Sequence, residues 1–158
     1  MSRPRRLENF SYVGRACYFL TFCVRERRRA FVSAPSVACV LTQIQRAACD
    51  RQFAIVAYCF MPDHVHLLVE GLTNESDLPA FVHRAKQFSG YAYTAAFQEP
   101  LWMKGYYERV LRPNESVARV ARYVTENPVR AGLVRLACEY PYAGASEDAP
   151  CKRRERRD

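Results

Sequence analysis

At 158 residues, 49% of them hydrophobic, the chain is long enough for one domain with a real core and too short to be read as several. Its formal charge of +8 comes from 24 basic against 16 acidic side chains, and Lys86, Lys104 and Lys152 are the only lysines. Arginine's planar fork of donors matches phosphate oxygens, so this balance, with ten tyrosines, points to a nucleic-acid partner. No apolar run reaches the roughly 18 residues of a membrane span, and the basic N-terminus lacks a signal-peptide core. The seven cysteines are odd in number, form no CxxC pair and sit mostly in apolar segments, which fits buried free thiols in a reducing compartment better than disulfides or a zinc cage. A cytoplasmic protein with no membrane association is expected.

In chain order, residues 1–13 read as a loose basic arm, 14–136 as the folded domain and 137–158 as a polar, basic tail ending in Lys152–Arg157. Ala16 to Val24 is aromatic and β-branched and forms the first strand. Arg25, Arg27, Arg28 and Arg29 follow in a basic turn. From Ser36 to Arg51 the apolar residues Val37, Val40, Leu41, Ile44 and Ala48 recur at helical spacing. Phe53 to Phe60 is the second strand, Met61-Pro62-Asp63 a turn, and His64 to Glu70 its antiparallel neighbour. A second helix over 77–97 is capped by Asn74 or Ser76. A fourth strand covers 105–111, and Asn114 caps a last helix over 115–126. Asn127-Pro128 through Gly132 has the grammar of one further helical turn, with cap, first-turn proline and terminal glycine. The order β-α-β-β-α-β predicts an α+β, ferredoxin-like antiparallel sheet with helices on one face and an additional C-terminal helix.

The chemistry-bearing residues concentrate in Tyr58 to Glu70. His64 and His66 flank Val65 on a strand, where side chains two apart project from the same face. Two adjacent imidazoles can hold a divalent metal and leave positions open for substrate oxygens; they can equally be half-buried strand residues. A third ligand is scarce, since His83 is helical and Asp63 and Glu70 flank the strand. Tyr123 and Asn127 are four apart and share a helix face if the helix runs through. Pro128 opposes that, and spacing alone makes Asn127 a cap. Arg25, Arg27, Arg28, Arg29, Arg84, Lys86, Arg109, Arg112, Arg119, Arg122 and Arg130 are candidates to line a groove for DNA backbone. Trp102 reads as core.

Three blocks in this order, Met61–Val69, Leu101–Arg112 and Tyr123–Leu133, resemble the HUH single-tyrosine transposases, in particular the REP-associated tyrosine transposase (RAYT) branch of the small insertion-sequence transposases. The likeness spans residues 12–135. It implies the ferredoxin-like fold and a Mg²⁺- or Mn²⁺-dependent cut in single-stranded DNA beside a hairpin, followed by strand rejoining. On this resemblance His64 and His66 match the metal pair, Tyr123 the nucleophile, and Asn127 the amide that completes the metal site. The better-known insertion-sequence members have glutamine at that last position, one methylene longer. The partner implied is single-stranded or hairpin DNA, with the protein acting as monomer or homodimer. A domesticated hairpin-binding protein and an RNA-binding ferredoxin-like domain with a structural histidine pair are the alternatives.

Overall fold

The computed structural model describes residues 7–146; residues 1–6 and 147–158, which include the start of the expected arm and the Lys152–Arg157 tail, lie outside the described residues. Its elements are β1 (Cys17–Cys23), α1 (Ala34–Asp50), β2 (Phe53–Met61), β3 (His64–Gly71), α2 (Leu78–Phe97), β4 (Tyr107–Val110), α3 (Val117–Thr125), α4 (Asn127–Arg130) and β5 (Ala143–Ala145). The strands form one antiparallel sheet in the order β4-β1-β3-β2-β5. The first four give the expected ferredoxin-like arrangement, and β5 is an addition. Its residues are small and belong to a stretch expected in the polar tail. They join because the preceding turn is anchored: the Tyr140 hydroxyl donates to the Phe60 carbonyl, and Phe60 N–H donates to Tyr142 O at 2.8 Å. A Cβ at Gly144 would lie 2.8 Å from the end of the Tyr58 ring, so a larger residue there has to displace that ring for this edge to close.

The two sheet faces are packed differently. On one, Tyr18, Leu20 and Phe22 of β1 and Val65, Leu67 and Val69 of β3 meet α1 through Val37, Val40 and Ile44, and α2 through Phe81, Val82 and Ala85. Rings interlock there: Phe53 stacks on Phe81 with centroids 4.9 Å apart, and Phe31 meets Phe60 edge-on at 5.0 Å. Trp102 packs on this core, its indole N–H donating to the buried Ser89 hydroxyl at 2.9 Å, as expected. On the other face a smaller cluster joins Val56, Ala57, Cys59, Met61 and Leu68 to Val120, Ala121 and Val124 of α3. A register shift between Ile55 and Ala57 turns consecutive residues Val56 and Ala57 into this cluster. The extra helix therefore lies opposite α1 and α2 rather than beside them.

Several boundaries and caps are corrected. Asp77, not Asn74 or Ser76, caps α2 by accepting from Ala80 N–H at 3.0 Å; Ser76 instead donates to Gln52 O at 2.7 Å. Ser116, not Asn114, caps α3 and accepts from Arg119 N–H at 3.2 Å. β4 starts only at Tyr107, because Gly105 has φ +82° and breaks the extended chain before it. The arm is not loose over its described part: Leu78 N–H donates to Tyr12 O at 3.0 Å and Gly14 N–H to Ser76 O at 2.8 Å, and Phe10 and Tyr12 pack on the core. Glu126 has φ −87° and ψ −2° and separates α3 from α4. Asn127 is thus the first residue of a helical turn, not its cap, and Gly132 with φ +73° ends that turn as expected.

Candidate active site

The β2–β3 hairpin closes with a two-residue turn, Pro62-Asp63, between paired Met61 and His64. The turn is fastened from outside: Phe31 N–H donates to Pro62 O at 3.0 Å and Val24 N–H to Asp63 O at 2.9 Å. His64 and His66 then project from the face that α3 covers, since Leu68 in the same alternation belongs to that cluster. Across the sheet His66 pairs with Thr21 on β1 and Cys59 on β2, and Thr21 in turn with Tyr107 on β4. The Phe19 ring stacks against the His66 imidazole with centroids 5.2 Å apart.

Each imidazole is held by its Nδ1. That of His64 lies 2.6 Å from Asp63 Oδ1, and that of His66 lies 2.8 Å from Thr21 Oγ1. Asp63 is oriented in turn by Arg27, whose Nε donates to Oδ2 at 2.9 Å while Nη1 reaches Cys23 Sγ at 3.0 Å. Burial alone would raise the Asp63 pKa, but hydrogen bonds from His64 and Arg27, with their charges, hold it below the usual carboxylate range. An ionised carboxylate only accepts, so His64 carries its proton on Nδ1 and offers the Nε2 lone pair. Glu26 and Arg27 have φ of +58° and +54°, a left-handed backbone rare outside glycine that swings Arg27 back onto the hairpin turn.

The two Nε2 atoms face one another at 3.1 Å. That spacing suits two neighbouring ligands each about 2.1–2.2 Å from one octahedral cation. It also suits a hydrogen bond from His66 Nε2–H to His64, and the Thr21 hydroxyl can serve either arrangement by donating to His66 Nδ1 or accepting from it. His66 is pushed down to about 3, first by burial, then by the charges of His64, Arg130 and Arg27, so it stays in the neutral form that metals bind. With both Nδ1 atoms engaged and both Nε2 atoms converging, the donor set fits a divalent ion. Among the described residues no group of three or more His, Cys, Asp and Glu stands ready to enclose one. His83 is exposed on α2, on the opposite side of the sheet, and Glu70 lies at the far end of β3.

Tyr123 lies on α3, 54% exposed, while Val120, Ala121 and Val124 of the same helix are buried on the histidine face. The Arg130 guanidinium carbon sits 3.8 Å from the centre of the Tyr123 ring, and Arg130 donates to the Tyr123 carbonyl. Asn127 is half-buried at the start of α4. The fold thus brings His64, His66 and the Tyr123 helix to one side of the sheet.

The basic residues divide. Arg25, Arg29, Arg112, Arg119, Arg122 and Arg130 are exposed. Arg28 is tied to Glu99 and to Pro100 O. Arg109 makes a two-pronged bond to Glu115 at 2.7 and 2.9 Å. Lys86 lies on α2, over the Phe22 ring in the layer opposite α3, and donates to Met103 O and Gly105 O at 2.8 and 2.5 Å. Arg84 sits beside Phe88 on the same α2 layer. Thr21 carries no signal of its own in the sequence; only the β1–β3 register reveals it.

The sheet carries paired histidines on one face with the Tyr123 helix over that face, and comparison with known proteins supplies the class. Residues 12–127 match the family described as "Transposase IS200 like", and the chain belongs to that family. It is 23% identical to the REP-associated tyrosine transposase of Escherichia coli strain K12 over 150 residues, 94% of this chain and 85% of that one. A Haemophilus influenzae protein provisionally given the same name is also 23% identical, over 83% of this chain and 80% of its own. In fold it resembles a solved REP-associated tyrosine transposase bound to a REP hairpin, with TM-score 0.72 and 23% identity over 90% of this chain and 82% of that one. The protein is accordingly of the transposase class, a DNA-cleaving enzyme. No described helix is long and apolar enough to cross a membrane.

Proposed function

We propose that this protein nicks single-stranded DNA beside a hairpin and rejoins the strands, with Tyr123 as nucleophile and with Mg²⁺ or Mn²⁺ held by His64 and His66, Asn127 alongside. The observation that carries this reading is the approach of the two Nε2 atoms to 3.1 Å on the sheet face that the Tyr123 helix covers.

A divalent ion at that pair supplies charge neutralisation at a scissile phosphate. Asp63 and Thr21 keep the imidazoles turned toward it, and Arg27 keeps Asp63 turned toward His64. The exposed arginines Arg112, Arg119 and Arg122 beside α3 grip the DNA backbone, which makes affinity fall steeply with salt. Tyr123 is reachable from solvent, and its Oη attacks phosphorus in line. The phosphodiester is conserved as a 5′-phosphotyrosine with a free 3′-hydroxyl, so a second 3′-hydroxyl can reverse the step without ATP.

Labelled hairpin oligonucleotides taken from palindromes flanking the coding sequence, incubated with protein and Mn²⁺, should give an adduct that survives a denaturing gel. Tyr123→Phe should abolish it, and an adduct that persists in that variant removes Tyr123 from the role. His64→Ala should lose cleavage while still shifting the hairpin in a native gel; loss of both would point to damaged folding.

A further inference from the structure

Arg130 stands where the two halves of this site meet. Its guanidinium is stacked on the Tyr123 ring at 3.8 Å, and one of its N–H groups is used on the Tyr123 carbonyl. That carbonyl lies in the last turn of α3, just before the break at Glu126. Arg27 is committed to Asp63 at 2.9 Å. Arg28, Arg109 and Lys86 are likewise engaged elsewhere. A guanidinium has five donors, and most of those on Arg130, an exposed side chain, remain for a ligand beside the Tyr123 ring.

We propose that Arg130 is a catalytic residue, whose remaining N–H donors hold a non-bridging oxygen of the very phosphate that Tyr123 attacks. This rests on the reading of Tyr123 as nucleophile. In the step, the Oη–P bond forms as the P–O3′ bond breaks; the phenol proton passes to solvent, and the departing 3′-oxygen takes up a proton to become a hydroxyl. Negative charge gathers on the non-bridging oxygens in transit, and a planar fork beside the attacking ring meets it without reorganisation. Stacking on the ring makes the placement self-aligning, because Arg130 and the nucleophile move as one unit. The ring contact and the carbonyl bond together explain why arginine suits this position better than lysine, which has a point charge and no plane to stack.

The test compares wild type, Arg130→Gln and Arg130→Lys in single-turnover adduct formation with saturating hairpin oligonucleotide and Mn²⁺. Once wild type has marked the cleaved junction, the same oligonucleotide is made with a neutral methylphosphonate there. Arg130→Gln should slow adduct formation on the ordinary phosphodiester by about 10²-fold, with hairpin affinity little changed and Arg130→Lys intermediate. On the methylphosphonate most of the Gln penalty should disappear, since there is no charge left for the guanidinium to meet. An equal penalty on both linkages overturns the proposal and leaves Arg130 a structural clamp on α3. Wild-type rates in Arg130→Gln overturn it too, while leaving Tyr123 as nucleophile. No adduct from wild type on any flanking palindrome sinks both readings, and circular dichroism of each variant separates misfolding from lost chemistry.

Discussion

The two faces of the sheet use the same strands for opposite ends. Along β3, Val65, Leu67 and Val69 enter a sealed aromatic and aliphatic core under α1 and α2, while His64 and His66, one residue out of step, open onto the smaller cluster under α3. One face is covered by helices of 17 and 20 residues, the other by a helix of nine. Because side chains alternate along a strand, rigidity gained on the sealed side is passed directly to the imidazoles on the open side. The lesson is that precision at the histidines comes from apolar residues that never touch them, and the open face can stay polar and reachable because the other face carries the stability.

That division can be broken from either side. The largest effect is expected on the sealed face: Phe81→Ala removes a fully buried ring stacked on Phe53 and should cost about 3–5 kcal/mol in denaturant or thermal unfolding. On the open face the expectation is a loss of ligand affinity with stability nearly intact. Asp63→Asn removes the carboxylate that orients His64 and should weaken Mn²⁺ binding, read by calorimetry without DNA, by about 10–100-fold. Should Asp63→Asn unfold the protein as readily as Phe81→Ala, the two faces are not separable in this way. Smaller again, Ser116→Ala deletes the cap of the helix over the open face and should lower stability by about 1 kcal/mol.

The smallest effect concerns the Arg109–Glu115 pair at the rim of the open face. The Arg109 hydrogen bond, ahead of an opposing burial effect, holds the Glu115 carboxyl below its ordinary value. A depressed carboxyl stabilises the fold above its unfolded pKa, and that contribution is lost as pH falls through the folded one. Glu115→Gln should therefore flatten the acid limb of the stability curve slightly, by about 0.5 kcal/mol for so exposed a pair. In the wild type the Glu115 side-chain carbon resonance should titrate lower than that of an unpaired glutamate, and Arg109→Met should bring it back.

What could be read from the residues alone followed how local each signal was. Alternation placed His64 and His66 on one face, and the apolar spacing of α1 marked its buried side; both are patterns within a single element, whereas on α2 the same spacing picks out Tyr91, which is 81% exposed. The role of Arg27 was hidden because it depends on a left-handed turn at Glu26 and Arg27 that no composition announces. Thr21 was hidden because it needs the register between β1 and β3. The ties of Lys86 to two carbonyls were hidden too, because they depend on where α2 packs. The caps fall one to three residues from where the sequence suggests, since Asn and Ser stand at both helix starts, with Asp77 added at one, and only the backbone decides which oxygen meets the N–H. β5 gave no signal at all: Ala-Gly-Ala carries no apolar pattern, and it is recruited by Tyr140 and by the vacancy over Tyr58.

The lengths of the strands carry a further consequence. The three inner strands have seven, eight and nine residues, whereas the outermost have four and three. A sheet's rims are where a stranger's backbone can zip on, and proteins guard them with short strands and charge. Here both margins are clipped, and one of them carries Arg109. Three aromatic and aliphatic strands of this kind would otherwise be a template for stacking sheet upon sheet into aggregate. By trimming its borders, the fold keeps a strongly β-forming interior from offering a long open edge to other chains.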